Sequence, residues 1–466
     1  MRQRLFRIGT FIVRWGIAIG GIWWVVSQMS LRDSMMVMRQ PGDLPVRMVL
    51  AADASPTDAV FQVIDPANGL LLQVPREQTV SKPDGNGKTV RARLAEDLPY
   101  RDLPLLGLDL AAEEDERPVI RRLLVNIDGK SRFIRPSAVE GGFRLRVPNP
   151  RIDTGLINLA SRANRWLLVA AVGIFPVTFI LTSVRWHRLL RGVGVVLPLG
   201  RVFVLNMVGN FYNTFMPGST GGDVLKAIYA ARQTSNRAAA VMSVIIDRII
   251  GLLTLVILGG MMAAYQFLSS PHASDPSVLA CRNVALASFA ILFGTGLGVT
   301  ALGWPSLRRL TGLDWLLRRL PAQSFLDKIL EVMRRYRSKP TLIAWSILVT
   351  FPVHLAVIVS AWLAGNAFGL PISPGYYFVV VPVVVLVGAI PLAPQGAGVM
   401  ELFATMLLAR QGANVSHAIA LTLSIRAVQI LWNLSGAVFV LRGGFHAPSR
   451  QQLDELDHAE PVAPTR

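Results

Sequence analysis

The stretch GNFYNTFMPGSTGGDVLKAIYAAR, Gly209 to Arg232, decides how the chain is read. It lies between apolar runs long enough to cross a bilayer. Yet it carries two Asn, a Pro, four Gly, an Asp and a Lys. At membrane depth, polar and helix-breaking sequence is tolerated only where protein buries it or where it lines a cavity. The segment also contains a turn followed by a helix start, an arrangement whose free N–H groups suit an anion.

Composition sets the class. The chain has 466 residues, 52% hydrophobic and 16% charged, against about 25% charged in an ordinary soluble domain. That marks an integral membrane protein. The formal net charge of +18 reflects Lys and Arg gathered at helix ends and short loops, as the positive-inside bias expects; no nucleic-acid partner is implied. The single Cys281 excludes an intrachain disulfide, and the six His show no metal-ligand spacing. Gly85–Thr89, GNGKT, lacks the first Gly of a P-loop, because that position is Lys82, and reads as a hairpin turn. No ATPase signature, metal site or cofactor motif is present, so any transport is expected not to be powered by ATP within this chain.

The chain divides into four parts. Residues 1–29 read as a basic start followed by a transmembrane anchor, Ile8–Met29. Residues 30–164 are polar and rich in Pro, Asp and Arg; Val46–Leu50, Val60–Ile64, Leu70–Val74, Leu123–Ile127 and Phe143–Val147 read as strands. Asp65–Gly69 and Asp128-Gly129-Lys130 read as turns, and Glu113–Glu116 as an exposed acidic loop. This part is expected to be a small β-rich extracytoplasmic domain. Residues 165–442 carry the apolar runs Trp166–Val184, Val202–Met216, Ala238–Phe267, Val284–Gly303, Leu342–Leu363, Tyr376–Pro391, Val399–Leu408 and His417–Leu441. Residues 443–466 are expected to form a disordered cytoplasmic tail.

Charge settles the expected topology. Arg185, Arg188 and Arg191 put the segment after Val184 inside, and nine Lys and Arg between Arg308 and Lys339 put the 304–340 loop inside. If Val202–Met216 were a full span, that loop would lie outside. The conflict disappears if Leu199–Arg232 is a re-entrant hairpin from the inside, turning at Pro217–Gly222, and Tyr376–Arg410 a second one from the outside, turning at Pro391–Gly398. The expected fold is an all-α polytopic protein with six full spans and two re-entrant hairpins, arranged as an inverted repeat whose broken helices meet near the midplane. The amphipathic segment 306–339 is expected on the inner membrane surface.

The candidate site follows from the two turns. In each, Pro ends one helix, Gly permits the turn, and the returning helix starts with an acid nearby, Asp223 or Glu401. The spans that follow carry Asp247-Arg248 and Arg426, and a charge in mid-span costs roughly 2.5–3.5 kcal/mol on insertion scales. Asp223 is open to helix capping or to pairing with Lys226. Arg248 and Arg426 are open to pairing with Asp247, Asp223 or Glu401. Asn206, Asn210 and Asn213 form one polar stripe, suited to packing or to ligand contact. Gly251, Gly259 and Gly260 read as close helix contacts.

Three motifs now stand out: N-x-x-N-x-x-x-P-x-x-x-G-G-D-x-x-K from Asn210 to Lys226, S-V-I-I-D-R-I-I-G from Ser243 to Gly251, and P-x-A-P-Q-G-A-G-V-x-E from Pro391 to Glu401. In this order they resemble the flippase-like transmembrane domain of lysylphosphatidylglycerol synthases and its stand-alone relatives, over roughly Trp166 to Arg442. The resemblance implies a multi-pass inner-membrane protein that binds or moves polar lipids. It points to Gly221, Gly222, Asp223, Lys226, Asp247, Arg248, Gln395, Gly396, Gly398 and Glu401; Asn210, Asn213 and Arg426 join them on the charge and stripe arguments. The synthases' soluble aminoacyl-transferase domain has no counterpart in the polar residues after Leu441, so the synthase reaction is not expected. The expected partners are lipids with anionic or zwitterionic headgroups, and envelope proteins through residues 30–164. Both chain termini are expected in the cytoplasm. Two other readings stay open, a membrane scaffold presenting residues 30–164 to an envelope complex and a transferase acting on a lipid-linked substrate.

Overall fold

The computed structural model describes Gly16, Gly20, Trp23, Ser27 and residues 30–37, 45–51, 60–65, 69–75, 78–81, 89–95, 97–111, 119–140, 152–215, 221–270, 276–303, 331–332, 334–390, 396–411 and 413–443. The expected anchor Ile8–Met29 contributes four helical residues to this set. The expected strand Phe143–Val147, the GNGKT turn up to Lys88, the acidic loop, most of the 306–339 segment and the tail from 444 lie outside it.

The N-terminal part is built from two antiparallel sheets. The first has the order β10-β1-β2-β3-β4, from β1 (Ser34–Val37), β2 (Val46–Leu50), β3 (Val60–Ile64), β4 (Leu71–Pro75) and β10 (Ile152–Asp153). The second runs β5-β7-β8-β9, with β6 also paired to β7; these are β5 (Val80–Ser81), β6 (Thr89–Ala92), β7 (Arg101–Ala111), β8 (Val119–Ile127) and β9 (Lys130–Ile134). Alternation decides which side chains turn inward. Met35, Met48, Phe61 and Val63 close one core, and Leu103, Leu108, Leu123 and Val125 the other. Asp128 and Gly129 both take positive φ, 50° and 82°, as a tight β8–β9 hairpin requires. Asp109, inward on β7, is fully buried and its Oδ2 accepts from Arg122 Nε at 2.9 Å.

The remainder is helical: α1 (Leu156–Ser161), α2 (Arg165–Ile174), α3 (Pro176–Gly192), α4 (Leu199–Phe215), α5 (Gly221–Ala231), α6 (Arg237–Ser269), α7 (Pro276–Gly303), α8 (Pro340–Ala367), α9 (Pro374–Gly388), α10 (Val399–Leu408), α11 (Val415–Leu434) and α12 (Ala437–Gly443). Among the described residues, five helical stretches are long and apolar enough to cross a membrane: Arg165–Gly192, Arg237–Ser269, Ser277–Gly298, Pro340–Ala367 and Val415–Gly443. They coincide with five of the six expected spans. Asn164 caps the first, its side chain accepting from the backbone of Trp166 and Leu167, which satisfies two otherwise orphan donors. Pro176 breaks this stretch into α2 and α3.

The short helices pair as α4 with α5 and α9 with α10. The first pair approaches so closely that a Cβ on Gly222 would strike the Gly209 carbonyl; in the second, a Cβ on Gly388 would meet the Met400 side chain. The turns 216–220 and 391–395 lie outside the described residues. The set α2–α6 interlocks with the set α8–α12. Gly259 of α6 lies against Pro382 of α9 and Gly436 against the Met207 backbone of α4. Ser360 Oγ and Trp432 Nε1 donate to the carbonyls of Ala171 and Val172. The sheets join one end of this bundle. Gly155 N donates to Asp33 Oδ1 at 2.6 Å, and Asn414 Nδ2 to the Thr154 carbonyl at 3.3 Å.

Candidate functional site

A cavity of about 300 Å³ lies between the two helical sets. One wall is polar and comes from α3–α6. The other is largely apolar, with Val353, Val357, Val385, Met400 and Ile425 from α8–α11.

The polar wall centres on Asp247. The sequence Ser243–Gly251 places Asp247 on the buried face of α6, where a lone carboxylate would be untenable. Arg185 meets it from α3, with Nε 2.8 Å from Oδ1 and Nη2 donating to its backbone carbonyl at 3.2 Å. Arg185 Nη1 also donates to Thr350 Oγ1 of α8 at 2.8 Å. Lys226 arrives from α5, Nζ 3.6 Å from Asp247 Oδ2. Its Nζ donates to Asn206 Oδ1 at 3.1 Å and sits 3.9 Å from the centroid of the Trp186 ring, a favourable place for a cation. Trp186 is fixed in turn by its Nε1 donating to Ser243 Oγ at 3.0 Å. Asn206 Nδ2 reaches Thr182 and Ser183, each at 3.1 Å. The result is a buried triad of two cations and one carboxylate with its hydrogen-bonding groups engaged, the condition under which buried charge is stable.

Nearer the opening, Arg248 Nη1 is 2.7 Å from Asp223 Oδ2, with side chains 28% and 24% exposed. Asp223 therefore pairs with Arg248 across two helices rather than with Lys226 along its own. Gly221 is the first residue of α5, and Gly222 N donates to Asn213 Oδ1 at 2.7 Å, so Asn213 closes the start of α5 from α4. Asn210 lines the cavity beside it. His354 of α8 completes the rim, Nε2 2.9 Å from the Gly251 carbonyl.

The second hairpin carries its own pair. Glu401 Oε1 is 2.7 Å from Arg426 Nη2, and Glu401 Oε2 accepts from Gly398 N at 2.8 Å. Gly396 and Gly398 hold φ of 66° and 83°, conformations that favour glycine. This pair does not line the cavity. Gln395 lies outside the described residues.

The sequence reading missed Arg185. Grouped with Arg188 and Arg191, it marked an inner loop, but α3 runs on to Gly192 and buries Arg185 to 5% exposure. The available signal was Asp247 itself, a carboxylate in a span with more than one possible cation to hold it. Thr350, His354 and Trp186 also escaped, because their roles depend on packing between distant segments.

The family described as lysylphosphatidylglycerol synthase TM region matches residues 154–436. The match begins just after β10 and takes in every charged residue of the cavity and of the Glu401–Arg426 pair. A UPF0104 membrane protein of Pyrococcus horikoshii is 22% identical over 305 residues, covering 61% of this chain and 90% of that protein.

Proposed function

This chain belongs to the lysylphosphatidylglycerol synthase TM region family, and from that premise we propose that it binds a polar lipid in the cavity and moves it across the membrane. One observation carries the reading: an amphipathic cavity whose charged lining has a surplus of one positive charge, Arg185, Lys226 and Arg248 against Asp223 and Asp247. That surplus suits an anionic or zwitterionic phosphodiester headgroup, and the apolar wall suits the start of an acyl chain. The volume of about 300 Å³ is at the lower end of ordinary ligand pockets, enough for a headgroup with its chains left in the bilayer.

In this reading Arg248, the most exposed cation of the set, meets the headgroup first. Lys226 and Arg185 set the local potential from behind, and Asp223 and Asp247 hold the cations in place. Asn210, Asn213, Gly221 and Gly222 shape the floor, while Gln395, Gly396, Gly398, Glu401 and Arg426 act from the other hairpin. The hairpins are re-entrant from opposite faces, the membrane is the inner membrane with both chain ends cytoplasmic, and residues 30–164 face outward. The movement is not driven by ATP in this chain.

The test is reconstitution in liposomes with fluorescent phospholipids and a dithionite-quenching readout. Wild type should accelerate transbilayer movement, and Arg248→Ala should slow it roughly tenfold, as expected for loss of a charged contact worth about 1.4 kcal/mol. Movement equal to that in protein-free liposomes, or unchanged by Arg248→Ala, would remove the reading and leave the scaffold.

A further inference from the structure

The two acid–arginine pairs have the same construction. Asp223 stands in the first turn of α5 and Glu401 in the first turn of α10, each the returning helix of its hairpin. Each carboxylate bonds an arginine 25 residues further on, at 2.7 Å in both cases. The arginines sit on corresponding spans, α6 and α11. The surroundings are not the same. The first pair lines the cavity; the second is covered, with side chains 14% and 4% exposed. The residue before Arg248 is Asp247 and the one before Arg426 is Ile425, so the second arginine has no adjoining carboxylate.

A simple latch would use the Glu401–Arg426 contact and leave nothing over. Here Arg426 Nε is fully buried and has no partner, and so is the hydroxyl of Thr405, one turn along α10 from Glu401. Residues four apart on a helix share a face. Among the described residues, no other arginine has a buried N–H without an acceptor. Buried donors in a folded protein are nearly always met, and a guanidinium N–H bonded to a helix whose same face carries a hydroxyl offers groups that an oxyanion satisfies.

Resting on the lipid reading above, we propose that Arg426 is a second station for the anionic headgroup, equivalent to Arg248 in the opposite half. Glu401 occupies Arg426 while the cavity is open at Arg248. When the hairpins exchange roles, the headgroup phosphate displaces Glu401, and Arg426 and Thr405 take it. Glu401 is thus a competitor of the ligand as well as a partner of the arginine.

The two members of the pair therefore have opposite effects on binding, which a structural latch cannot produce. The experiment measures binding of dihexanoyl phosphatidylglycerol to the full-length protein in detergent by titration calorimetry, alongside transport in liposomes. Glu401→Gln should tighten binding about tenfold. Arg426→Gln should weaken binding about twofold, since only Arg248 remains, while slowing transport by an order of magnitude. Arg426→Lys, which keeps the charge and the pair but loses the planar fork, should fold normally and still slow transport. If Glu401→Gln and Arg426→Gln shift binding in the same direction, or Arg426→Lys transports like wild type, the station is overturned. Wild type that neither binds nor moves lipid overturns the underlying reading itself. Inorganic phosphate should bind at least about tenfold more weakly than the lipid; equal affinity would assign the site to the free anion and overturn the headgroup.

Discussion

Replacing Asp247 by Asn is the sharpest probe of the buried network. The change keeps size and removes the charge that Arg185 and Lys226 share, at 2.8 Å and 3.6 Å. Both cations are almost wholly buried, with side chains 6% and 4% exposed, so water cannot replace the lost carboxylate. Taking one partner from a buried ion pair costs about 3–5 kcal/mol. Trp186 and Asn206 still hold Lys226, and Thr350 still holds Arg185, which argues for the lower part of that range. By contrast, Asp223→Asn breaks a pair exposed to about a quarter, where about 0.5–1 kcal/mol is expected. Thermal unfolding in detergent, followed by tryptophan fluorescence, should therefore rank the variants clearly. At roughly 2 °C per kcal/mol for a long chain, Asp247→Asn falls by about 6–8 °C and Asp223→Asn by about 1–2 °C. A double-mutant cycle with Arg185→Gln should give a coupling of about 2 kcal/mol or more. If Asp247→Asn melts no lower than Asp223→Asn, the triad is hydrated in the working protein and the reasoning from its burial fails.

Other expectations follow from single contacts. Gly222→Ala should destabilise the first hairpin by about 1–3 kcal/mol, because its Cβ would strike the Gly209 carbonyl, whereas Gly251→Ala meets Arg185 only at 3.7 Å and should be tolerated; melting of the two variants compares them. Trp186→Phe removes the hydrogen bond to Ser243 and weakens the ring facing Lys226, for about 1–2 kcal/mol by the same assay. In the sheet region, burial raises the Asp109 carboxyl above its ordinary value of 3.8 despite Arg122 beside it. Its folded value exceeds its unfolded one, so the folded state binds the proton more tightly. Stability should fall as pH rises from about 4 through the raised value, then level off. Hydrogen exchange across β7 and β8, corrected for intrinsic rates, should show this slope in wild type and lose it in Asp109→Asn.

Much of the architecture was legible because bilayer chemistry is restrictive. An apolar run such as Leu342–Leu363 or His417–Leu441 can be little other than a helix, and the Pro and Gly of 217–222 and 391–398 mark where helices break. The motif residues Asp223, Lys226, Asp247 and Arg248 also announced themselves as charges in apolar surroundings. What the sequence left open was the choice of partner for each. Asp247 has Arg248 beside it, yet it bonds Arg185, 62 residues earlier, because successive helix residues point to different faces and only the folded bundle brings α3 against α6. Arg185 was hidden by its neighbours Arg188 and Arg191, which share its charge but not its burial. In the sheet region, strands rich in alternating β-branched residues such as Val60–Ile64 were readable. β7 was not: Pro104, Gly107 and Asp109 interrupt its pattern, and its pairing with β8 shifts register beside Gly107 and after Asp109.

A lipid headgroup held in the charged cavity is tested by native mass spectrometry of the protein purified gently from its membrane. Wild type should retain a phospholipid with an anionic or zwitterionic headgroup, and Arg248→Gln combined with Lys226→Met should lose it while remaining folded. Wild type that carries no lipid, or a folded double variant that carries the same lipid to the same extent, would contradict a headgroup held there.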